Sequence, residues 1–369
     1  MPADVVVAGH IALDILPDMS MLKPEQVIDA GKVYEIGNIS YSTGGAVSNT
    51  GLALHRLGIN VDLLAAVGDD WLGEAIIDYV RGFGAALGDN IQVVPGAASP
   101  YTVVIEPQNH DRTLLTNTGV YNDYGLDHID LERVAAAKLF HLGYPTLLPR
   151  LYEDDGAGFL TLLRAVKGTG VITSIDLSLP PPDSASGRAD WRTILGRCLP
   201  LVDIFLPSIE EIMFMLRRPD LERWGADLFD RLTAAYLADL AQELIALGAG
   251  VAGLKLGERG LYLGAASDAG RLAFLNALDQ APAEWAGATA WQPAFQVEVA
   301  GTTGAGDAAY AGLLAAMIRG HSPAECARRA CAVAACNIEA ADATSGVRSW
   351  EETEARLAAG WGERLIRWT

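Results

Sequence analysis

The 369-residue chain is predicted to form an α/β protein: a doubly wound, mostly parallel sheet flanked by helices, with a small second β sheet set apart from it. Three observations predict this. Short apolar runs such as Val5-Val-Val-Ala-Gly9 and Val171-Ile-Thr-Ser-Ile-Asp176 end in Gly or Asp, as buried parallel strands do. Helical segments alternate with those runs, and that order predicts parallel pairing. The alternation breaks at 33–43 and 91–116, where β-rich segments stand without helices between them. The whole of 1–369 reads as one unit.

In chain order, Val5–Gly9 is the first buried strand, and Asp14 lies five residues past its closing glycine. A carboxylate there either meets a ligand, as at the strand ends of α/β folds, or is a solvated loop acid. Residues 33–43 read as an extended strand. Gly44 and Gly45 then open a helix with apolar positions Leu52, Leu54 and Leu57, which Gly58 closes. The two glycines let a ligand approach the backbone, and Asn49 in the first turn can bond a hydroxyl; capping alone is the plainer alternative. Residues 61–67 are a strand and 71–83 a helix. Segments 91–94, 101–105 and 113–116 are β-rich around a turn at 107–111, and with 33–43 they build an antiparallel lid. Arg112, at the turn exit, either reaches a ligand or is a solvated turn arginine.

From 131 the α/β rhythm returns. Strands are expected at 138–142, 171–176, 202–206, 251–255 and 261–263, and helices at 154–167, 190–197, after Glu211, and at 233–248. Residues 180–188 are loop, and 265–294 are an irregular insertion. The alternating run 295–299 reads as a strand. An alanine-rich buried helix follows from 308.

A net charge of −19 argues against general nucleic-acid binding and against an anionic membrane surface. The N-terminus lacks the basic leader of a signal peptide, and no uncharged run approaches transmembrane length. Cys326, Cys331 and Cys336 recur at intervals of five, about 140° apart on a helix, so they share no face and read, with Cys198, as small core residues. A reducing, cytoplasmic setting is the expectation.

The segment that organises the rest is Gly301-Thr-Thr-Gly-Ala-Gly-Asp307, a glycine-rich turn at a helix start. Unpaired N–H groups and a partial positive charge suit such a start to phosphate or an oxyanion. Asp307 would repel that anion, so its plausible task is to take a proton from an attacking hydroxyl; a cap is the alternative. A P-loop is excluded because Asp307 and Ala308 follow Gly306, and a dinucleotide fingerprint because His10-Ile-Ala follows Gly9. The pieces suit transfer of a nucleotide phosphate to a hydroxyl, with Glu211 helping to hold the water shell of Mg²⁺.

Taken together, these residues resemble the ribokinase/PfkB family of carbohydrate and nucleoside kinases over about 5–350. The segment 44–58 is similar to the family's first signature and 301–307 to its second. Between them stand Asp111-Arg112-Thr113, Asp176 and the Gly257 turn. The resemblance implies a ribokinase-like fold, with Asp307 as catalytic base and the backbone of Gly304, Ala305, Gly306 and Asp307 as anion hole. It implies a sugar-binding set of Asp14, Gly44, Gly45 and Asn49, with Arg112 as a further candidate. Lys255, Gly257, Thr302, Gly304 and Gly306 would meet ATP, and Glu211 the metal. It implies a homodimer paired through the lids. Three positions depart from the family pattern. Gly301 replaces an Asp that helps hold an activating monovalent cation, Ser208 replaces the Asn of Asn-x-x-Glu, and Ala46 replaces a Lys common in ribokinases. The expected activity is ATP- and Mg²⁺-dependent phosphorylation of a small sugar-like substrate. A nucleoside kinase, with Tyr34, Tyr41 and Tyr101 stacking on a base, is a second possibility. A catalytically silent binding module is a third.

Overall fold

The computed structural model describes residues 2–27, 29–108 and 113–365. Valine-rich β1 (Val5–Gly9) is fully buried. It is followed by β2 (Ala12–Pro17), β3 (Ile39–Gly44), α1 (Ala46–Arg56), β4 (Val61–Gly68), α2 (Trp71–Arg81), β5 (Ile91–Val94), β6 (Tyr101–Ile105) and β7 (Thr113–Asn117). A regular alternation then runs through β8 (Leu139–Gly143), α3 (Ala157–Gly168), β9 (Ile172–Asp176), α4 (Trp191–Cys198) and β10 (Ile204–Phe205). Helices α5 (Ile209–Leu216) and α6 (Ala234–Ala246) precede β11 (Val251–Lys255), β12 (Leu261–Ala265) and β13 (Thr289–Gln292). Three helices follow: α7 (Ala305–Ile318), α8 (Pro323–Asn337) and α9 (Trp350–Ala358).

The main sheet has the order β13-β12-β11-β10-β9-β8-β1-β4-β5. Its strands pair in parallel from β11 to β5, and β12 and β13 add an antiparallel edge. The strand order reverses at β1, which lies between β4 and β8. The C-terminal ends on either side of such a reversal form the crevice where open α/β sheets bind ligands. A second sheet, β3-β2-β6-β7, stands apart.

Helix α7 is buried on every side from Asp307 to Met317, as the apolar run after Asp307 requires. Small residues let α8 come close: a Cβ on Gly312 would lie 2.9 Å from the Arg329 carbonyl and 3.0 Å from the Val333 Cβ. The Tyr310 hydroxyl lies within hydrogen-bond reach of the carbonyls of Ile175 (2.9 Å) and Ile204 (3.0 Å), fixing α7 across β9 and β10 one turn past Asp307. The four cysteines are unpaired and buried, and burial raises the Cys198 thiol to about 12, far from a reactive thiolate.

Several expectations are corrected. The second sheet contains 12–17, so Asp14 stands on a strand; β2 is one of the two inner strands, antiparallel to β3 and parallel to β6. Within 33–43 only the part from Ile39 is strand, and the sheet is mixed rather than wholly antiparallel. Residues 91–94 join the main sheet beside β4 instead, with Ala65 opposite Ile91. The 295–299 run is not a strand: Phe295 makes one bridge to Glu363, and Gln296 N–H bonds to the Gly362 carbonyl at 2.8 Å. Its alternation is satisfied by the segment near 362 rather than by a sheet neighbour. The 265–294 segment is not wholly irregular, because β13 extends the main sheet beside β12. Arg271 in it anchors to buried Asp203 at 2.9 Å. Among the described residues no helix is long and apolar enough to cross a membrane.

Candidate active site

Helix α7 starts at Gly304, whose φ of 72° is left-handed and where a Cβ would collide with the Ala343 carbonyl. Only glycine fits that corner without strain. The Ala305 N–H donates to the Thr302 carbonyl at 3.2 Å. The N–H groups of Gly306 and Asp307 lie in the first turn, ahead of any carbonyl four residues back. A Cβ on Gly306 would lie 3.3 Å from Lys255 Nζ, so that lysine, at the end of β11, arches over the turn.

Asp307 is 4% exposed. Asn49 Nδ2 donates to its Oδ2 and Thr50 Oγ1 to its Oδ1, both at 3.1 Å. The Tyr144 hydroxyl lies 2.8 Å from each carboxylate oxygen. Helix α1 can supply Asn49 and Thr50 because Gly45, with φ 87°, turns the chain sharply into it. Ala46 is fully buried, and any side chain on Gly143 would collide with its methyl. Ala46 is therefore a packing residue where a lysine side chain has no room.

Away from Asp307, the path of predicted acceptor residues continues. The Asp14 carboxylate lies where a Cβ on Gly44 would be, so Gly44 admits it. Register sets Ser42, Asp14, Thr102 and Thr116 side by side across four strands, and the Thr102 and Thr116 hydroxyls bond at 2.8 Å. Among the described residues, two buried atoms here have no hydrogen-bond partner, Asn49 Oδ1 and His10 Nδ1. The His10 ring packs against Gly45 and, at 4.9 Å, against Tyr121; burial lowers its pKa to about 4, leaving it neutral. Arg112 and Asp111 lie outside the described residues. Tyr34 bonds Asp29 at 2.8 Å, and Tyr41 meets the Tyr79 ring edge-on at 6.4 Å. Neither arrangement is a stacking platform.

On the other side of Asp307 opens a cavity of about 820 Å³. Lys255, Gly257, Thr302, Gly304, Gly306 and Glu211 all border it. Phe295, Val297, Val299, Ala335 and Ile338 give it an apolar wall beside the glycine-rich turn. Lys255 Nζ bonds both oxygens of Asp176, at 2.6 and 2.9 Å. Burial, with Glu211 and Asp307 nearby, outweighs that lysine and raises Asp176 to about 7. Burial likewise raises Glu211. Burial opposes the Lys255 charge, but Asp176, Glu211 and Asp307 overcome it and raise its pKa. Three carboxylates, Asp176, Glu211 and Asp307, thus lie around the one Lys255 ammonium, and two of them, Glu211 and Asp307, border the cavity with it. Ser208 caps α5: its hydroxyl accepts from Glu211 N–H at 3.2 Å, and Glu211 Oε2 accepts from Ser208 N–H at 2.7 Å. The serine keeps the reciprocal capping bonds that orient Glu211.

Residues 3–350 match the pfkB family carbohydrate kinase profile. The chain belongs to the pfkB family of carbohydrate kinases. Among curated relatives, the fructokinase of Klebsiella pneumoniae is 26% identical over 318 residues, 86% of this chain and 85% of that one. The ATP-dependent ribose-1-phosphate kinase of Halopiger xanaduensis is 24% identical over 230 residues, 62% of this chain and 69% of its own. The solved Arabidopsis thaliana ribokinase, complexed with ribose and ATP, superposes with a TM-score of 0.71 at 19% identity, covering 97% of this chain and 99% of that one. The fold is ribokinase-like, and as a pfkB carbohydrate kinase the chain is a phosphotransferase.

In this pfkB chain, sequence reasoning missed Tyr144, Thr50, His10 and the apolar wall. Thr50 follows Asn49 on a helix that was already located, so its neighbourhood was the available signal. The other three carry none, because their placement depends on where distant strands end. Gly301 has a structural explanation: a Cβ there would lie 2.7 Å from the Ala341 carbonyl, against a backbone already bonded through Ala300 N–H to the Ile338 carbonyl at 2.8 Å.

Proposed function

We propose that the chain transfers the γ-phosphoryl group of ATP to a hydroxyl of a small, neutral sugar-like substrate, with Asp307 as the base. The observation that carries this is the position of Asp307. Its carboxylate is gripped by Asn49 and Thr50 from the acceptor side and borders the large cavity on the other, at the start of α7. The Gly304–Asp307 backbone acts as the anion hole, chiefly through the Gly306 and Asp307 N–H groups, since Ala305 N–H has a carbonyl partner. Asp14, Gly44, Gly45 and Asn49 hold the acceptor, and the unpartnered His10 Nδ1 and Asn49 Oδ1 favour a ligand that brings hydroxyl donors. The nucleotide takes the cavity, its base against the apolar wall and its phosphates toward Lys255, Gly257 and Thr302.

The surplus of carboxylates over lysine fits a Mg²⁺ ion that arrives with the nucleotide. Among the described residues no group of three His, Cys, Asp or Glu side chains could hold a metal alone. The ion would be held mainly by phosphate oxygens and water, with Glu211 touching it through water. Bound there, Mg²⁺ offsets phosphate charge in an acidic protein. Gly301 leaves no side chain to hold a monovalent cation. The second sheet closes over the acceptor and excludes water.

An acceptor panel scored by coupled ADP release tests the activity. Asp307→Asn is expected to lower the rate with the best acceptor by about 10²–10⁴-fold, the usual worth of a positioned base. Wild-type turnover by that variant would sink the assignment.

A further inference from the structure

Tyr144 is the residue of the site that the kinase reading leaves without a task. It follows Gly143 at the end of β8 and precedes Pro145. Its backbone is left-handed, φ 62° and ψ 48°, a conformation that a bulky residue rarely adopts. Local bonds hold it there: Tyr144 N–H donates to the Asp176 carbonyl at 3.1 Å, and its carbonyl accepts from Leu147 N–H at 2.9 Å. The result aims the phenol at the base. Asn49 and Thr50 each bond a different carboxylate oxygen of Asp307, while the Tyr144 hydroxyl sits 2.8 Å from both. A substrate hydroxyl must come within hydrogen-bond reach of one of these oxygens to hand over its proton, and the phenol stands within that reach of both.

We propose that Tyr144 is a placeholder for the acceptor: its hydroxyl occupies the acceptor-hydroxyl position on Asp307 in the empty site, bars water from it, and gives it up when the sugar binds. This rests on the kinase assignment above. The phenol cannot replace Asp307 as base. Burial first, and then the Asp307 charge, raise its pKa well above that of free tyrosine, so it stays a donor. The groups around it are Asp307 on α7, Asp176 at the end of β9, Glu211 on α5 and Lys255 on β11. All three carboxylates favour the protonated phenol. Water admitted to the same place would be activated as a sugar hydroxyl is. Asp307 would accept the water proton, the water oxygen would bond to the γ-phosphorus, the bond to the ADP oxygen would break, and ADP, phosphate and a proton would leave. Tyr144 therefore couples ATP consumption to the presence of acceptor.

The test is ADP release by Tyr144→Phe with Mg-ATP, without and with acceptor. Without acceptor, the variant is expected to release ADP ~10-fold or more faster than wild type, since a freed base is worth about 10²–10⁴-fold. With saturating acceptor the ratio of acceptor-stimulated to acceptor-free ADP release should fall well below that of wild type, and the acceptor KM should fall, because nothing has to be displaced. Tyr144→Asn, which tolerates the left-handed backbone, should do the same. Adding Asp307→Asn to either variant should abolish the released hydrolysis. An acceptor-free rate equal to wild type in both variants overturns the proposal. So does a joint loss of kcat and acceptor-free rate, which marks a residue that only positions Asp307. Failure of the kinase assignment looks different: no acceptor in the panel then stimulates ADP release by the wild-type chain.

Discussion

At the scale of single residues, the pair Lys255–Asp176 sets how the empty site responds to pH. Asp176 titrates near 7 in the folded protein against an ordinary 3.8. Between those values the folded state holds a proton that the unfolded chain has released. Stability contributed by this group is thus full below about 4 and is lost as pH rises through about 7. Lys255 acts with the same sign at alkaline pH, because its raised pKa gives stability that vanishes as it deprotonates. The melting temperature of the ligand-free protein should fall from pH 5 to pH 7.5, and Asp176→Asn should flatten that fall. An unchanged slope in the variant would assign the effect elsewhere. Asp307, Gly304 and Asn49 were legible in the sequence because glycine-rich turns constrain which chemistry can follow them. Tyr144 was not. Gly143-Tyr-Pro reads as an ordinary turn, and the left-handed backbone that aims the phenol at Asp307 is held in part by a bond to Asp176, distant in the chain.

Among elements, the loop at Gly301 carries the sharpest expectation. Its backbone lies against Ala340 and Ala341, where the Gly301 Cβ position is 2.7 to 3.1 Å from three backbone atoms. Rates in K⁺, Na⁺ and a large organic cation at equal ionic strength should agree within about twofold, less than the ~5-fold of a typical coupling between two sites. Activation by K⁺ alone would show that a cation is held there without that side chain. Gly301→Asp should destabilise the protein by about 1–3 kcal/mol through overpacking, measurable by denaturant titration. Strand assignment was the weaker part of the sequence reading, and the reasons are local. The β2 segment, Ala12-Leu-Asp-Ile-Leu-Pro17, is short and ends in proline, so it resembles a loop until β3 and β6 pair with it. The β5 residues are as β-prone as those of β6, and only sheet position separates them.

For the whole molecule, charge and surface decide association. Ile39, Tyr41, Leu114 and Leu115 are exposed on β3 and β7, the two edge strands of the second sheet. Tyr41, Ile15, Val103 and Leu115 stand in one row across it. Exposed sheet edges and an apolar row need cover, and we infer a second copy of the chain as the cover. Light scattering at working concentration should give twice the chain mass, and Tyr41→Asp with Leu115→Asp should halve it. A wild-type monomer would refute the pairing. The doubly wound order of the main sheet was legible because its strands are buried on both faces and so run apolar throughout, while the membership of the second sheet was not.

The bonds from Asn49 and Thr50 to Asp307 join residues 258 and 257 positions apart in the chain. Forming such contacts requires closing a loop of that length before they contribute, which favours their late formation. Catalytic competence is therefore expected late in folding. On refolding from denaturant, phosphoryl transfer should return after the helical signal, in step with the slowest phase.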